Sequence, residues 1–107
     1  MRKTPRLEVQ RLAIQELRLN FQPPENLSDE RVNYYVKKFR VREKVYPVRI
    51  YYDGAHYYLN DGFHRVAAAL KVGRRMIQAE VVRGTLADME ADWQRYLQEL
   101  KKSLASP

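Results

Sequence analysis

Apolar and polar residues alternate with two different periods along this chain, and the switches between them mark its elements. From about Leu7 to Leu12 the period is two, with Leu7 and Val9 on one face, which predicts a strand. Ile14, Leu17, Leu19 and Phe21 are expected to keep the next segment against the core. Gln22-Pro23-Pro24-Glu25-Asn26 then reads as a rigid loop. Ser28 is placed to cap a helix whose first turn holds Asp29 and Glu30. Val32, Tyr35, Val36 and Phe39 recur at i, i+3, i+4 and i+7, which predicts an amphipathic helix to about Arg42.

Period two returns after Tyr46-Pro47. Val48 to Tyr52 and about His56 to Asn60 read as two strands joined at Asp53-Gly54, with Val48, Ile50, Tyr52, Tyr57 and Leu59 on one face. Tyr51, Tyr52, Tyr57 and Tyr58 are taken as strand-forming aromatics packed on a core, rather than as stacking platforms for bases. Phe63 to about Val72 is rich in Ala, Leu and Val and is closed by Gly73, the pattern of a helix with its C′ glycine. Met76 to Val82 is a further strand, and Thr85-Leu86-Ala87-Asp88 opens a last helix with a capping box. Leu86, Met89, Trp93, Leu97, Leu100 and Leu104 form a stripe along that helix, expected to cover the protein's own core, with 103–107 fraying. These elements predict one α+β domain, its core spanning about 7–97, in which a small mixed sheet packs with about three helices. Trp93, Leu70, Phe39 and Ile50 are the expected core.

Composition narrows the chemistry. The 107 residues suffice for one modest core. Cysteine is absent, which removes disulfides, thiolate zinc sites and thiolate catalysis. His56 and His64 are isolated and form no metal-ligand cluster. No apolar run approaches the ~20 residues of a membrane span, and the basic amino terminus lacks the apolar stretch of a signal peptide, so a cytoplasmic protein is expected. The formal charge of +7 favours an anionic partner: a nucleotide, a nucleic acid or an acidic protein surface.

The chemistry concentrates where the second hairpin strand meets its helix, at Asp61-Gly62-Phe63-His64-Arg65. A strand, a glycine turn and a helix aim backbone N–H groups and a positive dipole end at an anion, and His64 and Arg65 add side-chain donors. Asp61 has two readings. The simpler, preferred here, is a cap on the helix N-terminus; the other is a ligand for a nucleotide's Mg²⁺. Arg31, Tyr34 and Lys38 share one stripe of the first helix, and Arg31 and Lys38 are candidates for secondary phosphate or ribose contacts.

Gly62-Phe63-His64-Arg65-Val66-Ala67-Ala68, then Ile77 to Val82, then Thr85-Leu86-Ala87-Asp88, resembles the ParB/sulfiredoxin superfamily from about Val9 to Tyr96. Sulfiredoxins carry a Gly-Gly-Cys-His-Arg-x-Ala-Ala box and ParB proteins a Gly-Glu-Arg-Arg-x-x-Ala-Ala box. The resemblance implies a box, Gly62 to Arg65 with Phe63 in it, that binds the phosphates of ATP or CTP with Mg²⁺, Gly62 giving the turn and His64 and Arg65 contacting phosphate. In sulfiredoxins the helix stripe carries Lys, Ser and Thr along the nucleotide, where Arg31, Tyr34 and Lys38 stand here. Phe63 occupies the position of the sulfiredoxin nucleophile, so the chain is not an active sulfiredoxin. Two functions remain. One is a nucleotide-responsive module linked to DNA or a protein partner. The other is a small phosphotransferase, for which Asp61 is the tentative metal ligand and Glu25, Asp29 and Glu30 are candidate bases. A nuclease comes third, for want of a carboxylate cluster.

Overall fold

A computed structural model describes residues 8–19 and 27–105. In chain order the elements are β1 (Glu8–Ala13), a 3-10 turn (Ile14–Glu16), β2 (Leu17–Arg18), α1 (Asp29–Arg40), β3 (Val48–Tyr52), β4 (Tyr57–Asp61), α2 (Phe63–Lys71), β5 (Met76–Arg83) and α3 (Leu86–Ala105). Leu7, Phe21 and the loop 22–26 lie outside the described residues.

The five strands form one mixed sheet in the order β1-β5-β3-β4-β2. β1 runs antiparallel to β5 and β4 antiparallel to β3, whereas β3 pairs parallel with β5 and β2 parallel with β4. β1 and β2 hold opposite ends of this order, yet only Ile14–Glu16 separates them. Four Cα steps reach at most about 14 Å, while four strand spacings in a flat sheet need about 19 Å. The sheet is therefore curled, and the amino-terminal segment runs along both of its edges.

One face of the sheet carries Val48, Ile50, Leu59 and Ala79, all fully buried, and α2 covers it with Val66 and Ala69. α1 lies on α2 through Val32 and Val36 against Ala68, where the small side chain permits close approach. Both helices end in the same turn. After α2, the Arg74 N–H donates to the Ala69 carbonyl (2.9 Å) and the Gly73 N–H to that of Leu70 (3.0 Å), with Gly73 at φ 80°. After α1, Glu43 N–H donates to Lys38 (2.9 Å) and Arg42 N–H to Phe39 (3.2 Å), with Arg42 at φ 58°. An arginine thus sits where glycine avoids a cost of about 1–2 kcal/mol.

Several sequence expectations are corrected. Leu12 sets the parity of β1, so Gln10 turns inward and Val9 is 63% exposed. Leu19 also lies out of the core, at 46%. Leu70 stands one position past Ala69 on α2, beyond the buried stripe, and is 54% exposed. Trp93, expected in the core, is half exposed and stacks on Tyr96. Trp93 flanks an open cleft between α3 and Arg49, Tyr51 and Asn60 instead of the core, and farther on the 20-residue helix, about 30 Å long, outruns strands of five to eight residues. α3 meets the opposite face of the sheet only at its beginning, where Met89 is buried and the Tyr51 hydroxyl donates to the Asp92 carboxylate. Burial, then that carboxylate, push the Tyr51 hydroxyl up to about 12. The stripe beyond Met89 therefore does not cover the core, and helix continues through 103–105 instead of fraying. The capping box is present as expected: Asp88 N–H donates to Thr85 Oγ1 (3.1 Å) and Thr85 N–H to the Asp88 carboxylate (2.8 Å).

Gly62 and Gly73 both have positive φ, but their surroundings differ. A Cβ on Gly62 would lie 2.5 Å from Cγ1 of buried Val48, whereas one on Gly73 meets nothing within 4 Å. Gly73→Ala should cost about 1–2 kcal/mol from the backbone alone. Gly62→Ala adds overpacking of about 1–3 kcal/mol to that strain and should be clearly the worse of the two in urea titration. Equal losses would show that the Val48 contact yields freely.

Candidate functional site

The site is built where the amino ends of α1 and α2 meet. Gly62, at φ 108° and ψ 26°, turns the chain from β4 into α2, and Val66 N–H is the donor that bonds back to the Gly62 carbonyl (2.9 Å). The N–H groups of Phe63, His64 and Arg65 precede that bond, in the first turn, where a helix offers no internal acceptors. An open cleft of about 550 Å³ lies against this turn, lined by Gly62, Phe63, His64 and Arg65 with Asp61, and by Arg31, Tyr34 and Tyr35 from α1. The stripe chosen from helical spacing thus places Arg31 and Tyr34 at the cleft. Lys38 stands back from it, its ammonium 4.9 Å from the centre of the Tyr34 ring. A side-chain hydrogen bond with Tyr34 leads the causes that raise Lys38 above the ordinary lysine range.

Asp61 does not cap α2. It is the last residue of β4, Gly62 occupies the cap position, and no side chain caps this helix. The physical reason is the left-handed turn at Gly62, with a register shift between Arg49 and Ile50 in the paired strand beside it. The Asp61 side chain is 74% exposed, and its carboxylate makes a long 3.5 Å contact with Arg65 Nη2. It also lines a second cleft with Arg49, Asp92, Trp93 and Tyr96, so it stands on the lip shared by the two.

Arg65 and His64 are each half-committed to the protein. Arg65 Nη1 donates to the carbonyls of Pro47 (2.8 Å) and Tyr46 (3.0 Å), and its guanidinium lies 6.0 Å from the Tyr35 ring centre. His64 Nε2 accepts the Ser28 N–H at 3.0 Å, which leaves Nδ1 to carry the proton of the neutral ring. Ser28 meanwhile caps α1 by accepting the Arg31 N–H (3.3 Å). One histidine thus joins the starts of two helices and still has a donor to offer. Desolvation, with Arg31 nearby, holds His64 below the ordinary histidine range. Sequence reasoning missed Tyr46 and Pro47 as partners of Arg65, because carbonyl acceptors leave no trace in residue type, and it read Tyr35, whose ring faces Arg65, only as part of the apolar stripe. Among the candidate bases, Asp29 and Glu30 occupy the exposed first turn of α1, outside the cleft lining, and Glu25 lies outside the described residues.

The fit to Mg²⁺ is limited but chemically coherent. Among the described residues no three His, Cys, Asp or Glu side chains group as a metal site, and Asp61 is the one carboxylate lining the cleft. Mg²⁺ that travels with a nucleotide takes one or two carboxylates and completes its shell with phosphate oxygens and water. Asp61 could serve in that way, with the phosphates of the nucleotide providing the remaining protein-independent ligands.

No protein-family profile matches the sequence, and no curated protein matches it. Solved structures do share its fold. Sulfiredoxin from Arabidopsis thaliana aligns with a TM-score of 0.71 at 19% identity, covering 78% of this chain and 94% of that one. The carboxy-terminally truncated partitioning protein ParB of Caulobacter crescentus, complexed with CTP-γ-S, aligns with a TM-score of 0.62 at 17% identity, covering 77% and 48%. A free serine kinase in complex with AMP aligns with a TM-score of 0.58 at 15% identity, covering 73% and 32%. The chain therefore has the α+β fold shared by sulfiredoxin and the ParB amino-terminal domain, and it spans about half of that ParB chain and about a third of the serine kinase. No helix among the described residues is long and apolar enough to cross a membrane.

The half-buried His64 acceptor generates a pH prediction. Its folded pKa lies below its unfolded value near 6.5, so the unfolded chain binds the proton more readily. Its contribution to stability is complete above that value and declines as pH falls below it towards the folded pKa. Melting temperatures across this window should fall more steeply for the wild type than for His64→Gln, which has no proton to take up. Parallel curves would remove His64 from the balance.

Proposed function

We propose that this domain of the sulfiredoxin and ParB fold binds a nucleotide through its phosphates, in the cleft where α1 and α2 begin. The observation that carries the reading is the convergence of three kinds of donor on one cleft. These are the backbone N–H groups of Phe63, His64 and Arg65, the guanidinium of Arg31, and the side chain of His64. Such an array suits phosphate oxygens, which accept several charge-assisted hydrogen bonds at once. Arg65 lines the same cleft, but its present bonds to Tyr46 and Pro47 make it first a brace for the loop before β3. Tyr34, half exposed and edge-on to Tyr35, offers a ring at the lip for a base. The CTP-γ-S and AMP complexes of the two structural neighbours support a nucleotide over a bare phosphate. ATP and CTP are the candidates, with Mg²⁺ held by Asp61 and phosphate.

In this reading the domain is a nucleotide-responsive module, and the consequence of binding falls on a partner. A specific observation keeps a phosphotransferase in view: Asp61 is freed from capping, exposed, and shared by two adjoining clefts. A carboxylate whose one contact among the described residues is the long 3.5 Å pair with Arg65 is available to a metal. Turnover from ATP or CTP that Asp61→Asn abolishes at unchanged melting temperature would move the assignment to that enzyme class.

Calorimetric titration with ATP and CTP, with and without Mg²⁺, tests the main reading. Arg31→Ala and His64→Ala should each weaken binding about tenfold, the loss of one charge-assisted hydrogen bond. Arg65→Ala should lower stability by about 1–3 kcal/mol as well, because two carbonyls lose their donor. Undiminished affinity in both Arg31→Ala and His64→Ala would show that the box is purely structural.

A further inference from the structure

α1 and α2 run side by side in the same direction. Their beginnings meet at Ser28 and His64, and their ends meet at Phe39 and Arg74, where Arg74 Nη2 donates to the Phe39 carbonyl at 3.4 Å. A third cleft, of about 500 Å³, opens at those ends. Arg11 of β1, Arg42 and Lys44 of the loop after α1, and Arg74 after α2 all line it, against Glu43 as its one carboxylate. All four cations are exposed. Tyr46 stands in the same lining at 86% exposure.

Helix carboxy-terminal ends attract cations, which accounts for Lys37, Lys38, Arg40 and Lys71 in the last turns. It does not account for Arg11, which comes from an edge strand. Nor does it explain Arg42, held in the left-handed conformation that the matching turn after α2 gives to Gly73. Strain kept at a residue whose side chain enters a cleft points to use of that side chain. Arg74 is also pre-set: its guanidinium lies 4.8 Å from the Phe39 ring centre and spends one N–H group on the carbonyl, leaving the others for an outside acceptor.

We propose that this cleft binds the sugar-phosphate backbone of a single-stranded nucleic acid, with a base laid on Tyr46. Four cations converging from three segments match a run of phosphates, and arginine suits them by its planar fork. A concave basic groove with an exposed ring beside it suits a flexible strand whose bases are free to stack.

The test is fluorescence anisotropy with short labelled DNA and RNA single strands over a range of salt. Binding should weaken as salt rises, and Arg11→Ala, Arg42→Gly and Arg74→Ala should each reduce the salt slope by about 0.7. Each should weaken affinity at low salt about tenfold. Arg42→Gly separates binding from folding, because relief of the left-handed residue should hold or raise the melting temperature while affinity falls. Tyr46→Ala should weaken single strands more than duplexes. A preference for DNA or for RNA names the source, and either supports the site. Affinity unchanged in Arg11→Ala and Arg42→Gly, or losses confined to Arg31→Ala and His64→Ala, would overturn it. Polyglutamate competing as well as the oligonucleotides would instead assign the cleft to an acidic protein surface.

Discussion

The close approach of Gly62 to Val48 is the constraint on which the site depends. Val48 is fully buried at the start of β3, and the backbone of Gly62 lies where no Cβ would fit. With that contact made, β4 must leave the sheet at Asp61 and α2 must begin at Phe63. The orientation of the first turn then follows, and with it the direction of its N–H groups. Asp61 is pushed out to the lip because the turn that frees the helix end uses a glycine with no side chain to cap it. Capping and anion binding compete for the same N–H groups, and here the turn leaves them uncapped.

Much of this was legible in the sequence, and the failures share a cause. Period-two and period-3.6 patterns located every described strand but the two-residue β2, and the helix starts, to within a residue or two, because burial of Ile50, Leu59 and Val66 demands them. The glycine before Phe63 and the Thr85–Asp88 box were equally plain, since each does one local job. Val9, Leu70 and Trp93 were misplaced because apolar character says only that a residue can be buried. Which face β1 presents, and how far α3 outruns the sheet, are decided by partners distant in sequence. Asp61 fell to the same limit: a carboxylate before a helix looks like a cap until the intervening backbone angle is known.

The two arginines of greatest interest show how position divides labour among identical side chains. Arg65 is 14% exposed and spends its fork on backbone carbonyls, fixing the approach to β3. Arg42 stands exposed at the far end of α1, with its cost carried by the backbone. Net charge alone treats them as equals. Only their surroundings distinguish a brace from a group left open to solvent, and the same distinction separates His64, tied to Ser28, from His56 on the surface.

The segment that edges the sheet on both sides has a consequence for how the protein is made. Residues 8–18 leave the ribosome before the strands they pair with: β1 has no partner until Met76–Arg83 has been synthesised, nor β2 until Tyr57–Asp61. The hairpin of β3 and β4 can form while the rest is still being translated, but the seam cannot. Closing it joins residues more than sixty positions apart at Ala13 and Met76, so its entropy falls due at the end. Until then both margins of the sheet stay bare, and a segment made before its partners is the last to find its place.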